Sequence, residues 1–109
     1  MRTVPEPEFA QRIRAALDGL PEDIGAVTGP GRSGAVAAVY ASHILGVPFI
    51  PFGQPSPPEL GRMLIVDTAI QSGRTLRKAA GKYGEANPHI LAVYAEPPRI
   101  TFWYEAMPA

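Results

Sequence analysis

The 109-residue chain has no cysteine, which excludes thiol catalysis, Cys-ligated zinc and any disulfide framework. A reduced, cytoplasmic setting is the expectation that fits. Histidine is scarce. His43 and His89 stand far apart and neither has a partner at ligand spacing, so no zinc site is expected. Neither sign of charge is in excess, with ten Lys and Arg against ten Asp and Glu. That balance argues against a generic binder of nucleic acid or anionic membrane, whose affinity would rest on surplus positive charge. Long apolar runs are missing too. The longest, over residues 34–50, is interrupted by Ser42, His43, Gly46 and Pro48 and falls short of the ~20 apolar residues that span a bilayer. The first residues lead into Pro5, Glu6 and Pro7 rather than an apolar stretch, so no signal peptide is expected.

What the chain does have is apolar content and sharp punctuation. Hydrophobic residues make up 46% of it, enough for a core and too many for a globally disordered chain. The 11 glycines and 13 prolines are interleaved with dense apolar runs, which marks many element boundaries rather than low complexity. With no repeat and no internal linker, residues 1–109 read as one domain.

Residues 7–20 read as an amphipathic helix, because Phe9, Ile13, Leu17 and Leu20 recur on one face and Pro21 stops it. Residues 24–28 form a short strand ending at Gly29. Residues 33–45 form an alanine-rich helix with Gly46 as its C-terminal stop. Residues 48–52 are an edge strand, since Pro48 and Pro51 cannot donate to a ladder, and residues 53–61 are a loop. Residues 62–69 carry the strongest strand signal, Met63-Leu64-Ile65-Val66, and end in Asp67 and its neighbours. A helix over 74–83, a strand over 90–95 and a β-rich segment over 100–104 complete the chain. Apolar strands alternating with helices predict a mainly parallel sheet covered on both faces, a three-layer α/β/α sandwich. Ligands in such folds sit beyond the carboxyl ends of the strands. The loops at 29–33, 67–73 and 96–99 are therefore the places to look.

The second of these is the most specific. From Asp67 the chain runs Thr68-Ala69-Ile70-Gln71-Ser72-Gly73-Arg74-Thr75, which is a strand-end acid, a short loop and a helix start. Consecutive N–H groups over 71–75, the hydroxyls of Ser72 and Thr75, and Gly73 for close approach suit a phosphate monoester at a helix N-terminus. Arg74, Arg77 and Lys78 add positive charge, and Asp67 is placed to accept hydrogen bonds from sugar hydroxyls. A plain strand–turn–helix corner with Ser72 as N-cap is the alternative. The stretch resembles the phosphoribosyl pyrophosphate (PRPP) signature of the type I phosphoribosyltransferases. In that family two acids bind the ribose hydroxyls and a small-hydroxyl-Gly-x-Thr turn holds the 5-phosphate. Asp67 matches the first acid, and Ser72, Gly73 and Thr75 match the turn. Thr68 departs from the second acid, and Gln71 replaces the usual Thr or Ser.

In the first loop, Gly29 and Gly34 have P-loop spacing. Ala35 and Val36 stand where Lys and Ser or Thr would be required, so that reading fails. Gly31-Arg32-Ser33-Gly34 instead resembles the family's pyrophosphate loop. The resemblance implies Arg32 as the pyrophosphate ligand, with amide donors from Ser33 and Gly34. A glycine-rich β–α turn with a solvated arginine is the alternative. The resemblance covers about residues 24–95 and implies a phosphoribosyltransferase-like fold, Mg²⁺ carried in with PRPP, no direct metal ligand from the protein, and a homodimer. Two family features are reduced. The mobile catalytic loop would fall at 53–61, a short stretch stiffened by Pro55, Pro57 and Pro58 with no Lys or Arg inside it. The hood that holds the base has few residues left to build it. Phe102-Trp103-Tyr104 could stack on a base, or alternate with Phe102 and Tyr104 in the core and Trp103 on the other face.

Of the remaining polar residues, His43 reads as a partly buried structural histidine and His89 as loop. Glu22-Asp23 read as a solvated turn, and Glu96 is a carboxylate worth testing at a strand end. Three functions stay open. The chain is a minimal phosphoribosyltransferase using Asp67, a non-catalytic module that senses PRPP or a nucleoside monophosphate, or an interaction protein on the same fold.

Overall fold

The computed structural model describes residues 2–69, 74–84, 87–94 and 100–104. Chain order is β1 (Arg2–Val4), α1 (Glu6–Leu17), β2 (Ile24–Thr28), α2 (Gly31–Leu45), a 3₁₀ turn (Pro58–Leu60), β3 (Arg62–Ala69), α3 (Arg74–Lys82), β4 (His89–Tyr94) and β5 (Ile100–Phe102). The central sheet is parallel in the order β2-β3-β4. A lone bridge between Val27 and Phe49 extends it on the β2 side. The predicted strand over 48–52 is thus reduced to one paired residue, held by Val27 N–H to the Pro48 carbonyl and Ile50 N–H to the Val27 carbonyl. Pro48 and Pro51 deny it further donors.

Alternation along the strands divides the core into two layers. Val27, Leu64 and Val66 face α1 and α2, where they meet Phe9, Ile13, Leu17, Ala37, Ala38 and Ala41. Ala26, Met63 and Ile65 face α3 and meet Ala79 and Tyr83. The three-layer α/β/α arrangement expected from the sequence is the one found. The alanines let α2 lie close on the sheet, and Gly46 (φ 71°, ψ 31°) ends that helix in the left-handed conformation.

Two features depart from expectation. His43 is exposed, not half-buried. It lies two residues beyond buried Ala41, which at 3.6 residues per turn directs it away from the sheet. The chain ends also meet, with β1 lying parallel to β5 and pairing Arg2 with Ile100, Thr3 with Thr101 and Val4 with Phe102. Trp103 does not oppose Phe102. Its backbone N–H donates to the Val4 carbonyl at 2.9 Å, and its ring packs on Phe9 and Tyr40 at centroid distances of 5.6 and 6.4 Å.

Candidate functional site

Asp67 and the start of α2 lie at the same edge of the sheet. Thr28, the last residue of β2, is in register with Ile65 of β3, so the chain leaves β2 beside the strand that ends in Asp67, Thr68 and Ala69. The turn between is compressed. A Cβ on Gly29 would overlap the Gly34 carbonyl and lie 2.6 Å from the Val66 carbonyl oxygen, and one on Gly34 would lie 2.8 Å from the Gly29 carbonyl carbon. Gly29 and Gly34 are glycines because backbone occupies the space a side chain would need. Gly31 takes φ +67°, turning the chain into α2 two residues earlier than the sequence suggested.

Arg32 is exposed and Ser33 half-buried in the first turn of α2. The residue before the helix, Pro30, supplies no side-chain cap, and the first helical bond runs from Gly34 N–H to the Pro30 carbonyl at 3.1 Å. The N–H groups of Gly31, Arg32 and Ser33 therefore have no partner within the helix, at its positive end. Ser33 Oγ accepts a hydrogen bond from the Tyr104 hydroxyl at 3.0 Å, a contact that the sequence did not announce.

Asp67 is half-buried, and the Thr68 N–H donates to its Oδ1 at 2.8 Å. Burial pushes the Asp67 carboxyl above the usual range, against the hydrogen bonds from Thr68, which favour the charged form. Thr68, where the family motif has a second acid, is itself buried at 3% exposure and supports the carboxylate beside it. Asp67 shares its side of β3 with Met63 and Ile65, the α3 side. Thr28 shares that side with Ala26. The Thr28 hydroxyl is fully buried, with no hydrogen-bond partner among the described residues. Sequence reasoning passed over it because a threonine at a strand end carries no motif.

Gln71, Ser72 and Gly73 of the expected phosphate turn lie outside the described residues, as does Glu96. Arg74 and Thr75 open α3, and Arg77 and Lys78 are exposed on it. The described residues hold no group of three or more His, Asp or Glu placed to bind a metal ion, and none of their helices is long and apolar enough to cross a membrane. Glu22 and Asp23 are exposed in a turn, with Asp23 3.8 Å from Arg62. His89 opens β4 rather than lying in a loop.

The connection over 53–61 is anchored on Tyr83, at the end of α3. The Tyr83 hydroxyl accepts from Gly53 N–H and donates to the Gln54 carbonyl, both at 2.9 Å. Phe52 packs on Tyr83 at 5.9 Å, with Lys82 Nζ 5.2 Å from its ring centre. A cavity of about 780 Å³ between this loop and the end of α3 is lined by Gln54, Ser56, Pro57, Lys82 and Tyr83, among others. Gly61 lies on its rim, and the six residues of extended chain from there to Asp67 span about 20 Å.

No protein-family model matches the chain, and no match is found among curated proteins. Solved structures do match. A purine phosphoribosyltransferase from Pyrococcus horikoshii superposes with a TM-score of 0.74 at 22% identity, over 100% of this chain and 97% of that one. A Helicobacter pylori xanthine-guanine-hypoxanthine phosphoribosyltransferase gives 0.78 at 12% identity, over 96% and 92%. A hypothetical protein from Neisseria gonorrhoeae with bound ppGpp gives 0.69 at 15% identity, over 93% and 80%. At these identities the likeness is one of fold.

Proposed function

We propose that this chain, which has the fold of the phosphoribosyltransferases, binds PRPP or a nucleoside phosphate across the carboxyl ends of β2 and β3. One observation carries the reading: a half-buried carboxylate, Asp67, stands two residues from the end of the strand adjacent to the one that delivers the uncapped N-terminus of α2. An acceptor for sugar hydroxyls and a donor set for phosphate oxygens thus share one edge, as a phosphorylated ribose requires. The solved neighbours support the same ligand class, since they include phosphoribosyltransferases and a protein holding ppGpp.

In this reading Asp67 accepts from the ribose hydroxyls and the 71–75 turn takes the 5-phosphate. Arg32 meets the pyrophosphate, with the amides of Ser33 and Gly34. Any Mg²⁺ would be carried in with the pyrophosphate. A single carboxylate beside Thr68 suits a cation held mainly by phosphate oxygens and water, and the ion would neutralise charge on those oxygens. Were transfer to follow, a ring nitrogen of the base would bond to C1 as the C1–O bond to pyrophosphate breaks and would lose its proton to water, with the protein contributing position and charge. The reading includes a homodimer in the cytoplasm.

The anchored 53–61 connection favours a second reading, binding without transfer. It is tied to Tyr83 and carries no Lys or Arg, so it is poorly suited to close over a reacting centre and exclude water. Thermal unfolding with Mg²⁺-PRPP and with AMP or GMP tests the site. The expected rise in Tm is about 10 °C at a hundred times Kd, absent in Asp67→Ala. No shift with either ligand class overturns the proposal. Pyrophosphate release from PRPP in the presence of purine bases separates the two readings.

A further inference from the structure

Tyr104 follows β5 in a turn, yet its hydroxyl reaches the first turn of α2, a contact between positions 71 apart in sequence. Its ring is held on an aromatic platform. Tyr104 lies parallel to Phe102 at 5.7 Å and 11°, and edge-on to Trp103 at 5.0 Å and 89°. Phe102 is buried against Phe9 and Tyr94 at 5.8 and 5.6 Å. The main chain at Trp103 is fixed by its backbone N–H, which donates to the Val4 carbonyl. The place where the chain ends meet thus builds a rigid support and delivers a phenol hydroxyl to Ser33. Packing alone would be met by phenylalanine, and the oxygen is what phenylalanine lacks.

A serine hydroxyl has one proton and two lone pairs. With a lone pair of Ser33 Oγ taken by the Tyr104 O–H, 3.0 Å away, the serine's own proton must point elsewhere. Ser33 stands among the N–H groups that open α2 and have no partner within the helix, so the proton becomes a further donor to whatever anion they bind. We infer that Tyr104 is a positioning residue of the ligand site, acting through Ser33 to hold its hydroxyl as a donor to the pyrophosphate end of the ligand. The inference rests on the reading of the cleft proposed above. It adds a residue outside the PRPP-like motif and couples occupancy of the site to the terminal strand pair. Trp103, the sole tryptophan, touches Tyr104 and reports that coupling.

The test is a double-mutant cycle with Tyr104→Phe, Ser33→Ala and the pair. Binding of inorganic pyrophosphate and of Mg²⁺-PRPP is measured by calorimetry, Trp103 emission is followed in the same titrations, and the Tm of each variant checks its folding. Tyr104→Phe keeps the ring stack, so its Tm stays within a few degrees of wild type. The expected result is a loss of pyrophosphate affinity of about three- to tenfold in Tyr104→Phe. The double variant binds no more weakly than Ser33→Ala alone, and ligand-induced change in Trp103 emission is diminished in both single variants. Unchanged affinity in Tyr104→Phe, or losses that add in the double variant, overturns the inference while leaving the proposed site standing. A wild-type protein that binds neither PRPP nor pyrophosphate overturns both.

Discussion

Asp67 is kept at a cost. Burial raises its carboxyl above the usual range and the hydrogen bonds from Thr68 offset only part of this. Between the unfolded value of ~3.9 and the raised folded value, the native state binds more protons than the unfolded chain, so stability falls as pH rises through that interval. Above it the carboxylate is charged and the penalty persists at neutral pH. Asp67→Asn keeps an acceptor for the Thr68 N–H and removes the charge. Its Tm is expected to exceed wild type at pH 7, with the difference closing towards zero near pH 4, in calorimetry over a pH series. A difference that does not vary with pH, or a less stable variant, overturns the account. A carboxylate that burial disfavours at neutral pH fits the acceptor of ligand hydroxyls proposed for Asp67. The buried hydroxyl of Thr28, without a partner among the described residues, lies on the same side of the sheet.

The elements were legible in proportion to how local their causes are. Residues 24–28 and 62–69 form strands with the expected bounds, because a continuous apolar run between turn residues has little else to do in a two-sided sheet. α2 ends at Gly46 as read, since a left-handed stop is written in one residue. β1 was not legible: three residues show no alternation, and their partners stand at the other end of the chain. The same distance hid Tyr104 from Ser33. Of the candidate site, the strand-end acid and the α2 turn could be read from type and spacing, whereas the support each receives comes from the opposite chain end or the neighbouring strand. The glycines divide the same way. At Gly25 the β2–β3 register shifts, and a Cβ there would overlap the Leu60 carbonyl oxygen. At Gly81, near the end of α3, nothing lies within 4 Å. Gly25→Ala is therefore expected to destabilise by about 3 kcal/mol, and Gly81→Ala to stabilise by about 0.5–1 kcal/mol. Urea unfolding of both variants checks this, and equal effects would refute the assignment of Gly25 to close packing.

Across the whole molecule, the proposed site and the anchored connection are separate features. Zero net charge conceals an edge where Arg32 is exposed beside Asp67's strand, while Gly53 and Gln54 of the 53–61 connection are held against the end of α3. Tyr83 is the fastener there, both accepting from Gly53 and donating to Gln54. Tyr83→Phe keeps the ring contact with Phe52 and removes both hydrogen bonds, leaving a partly buried N–H and carbonyl to find water. A loss of about 1–3 kcal/mol follows, a fall in Tm of roughly 4–12 °C for a domain of this size. Because Tyr83 packs with Met63, Ile65 and Ala79 rather than on the first turn of α2, affinity for Mg²⁺-PRPP is expected to stay within about twofold of wild type. Asp67→Asn is expected to do the reverse, gaining stability and losing affinity. If Tyr83→Phe weakens binding as strongly as it weakens the fold, the connection takes part in holding the ligand and the separation of the two features is wrong. If it instead leaves binding intact and raises pyrophosphate release in the presence of a base, the fastener is what restrains transfer, and the protein is an enzyme held in its binding state by one phenol.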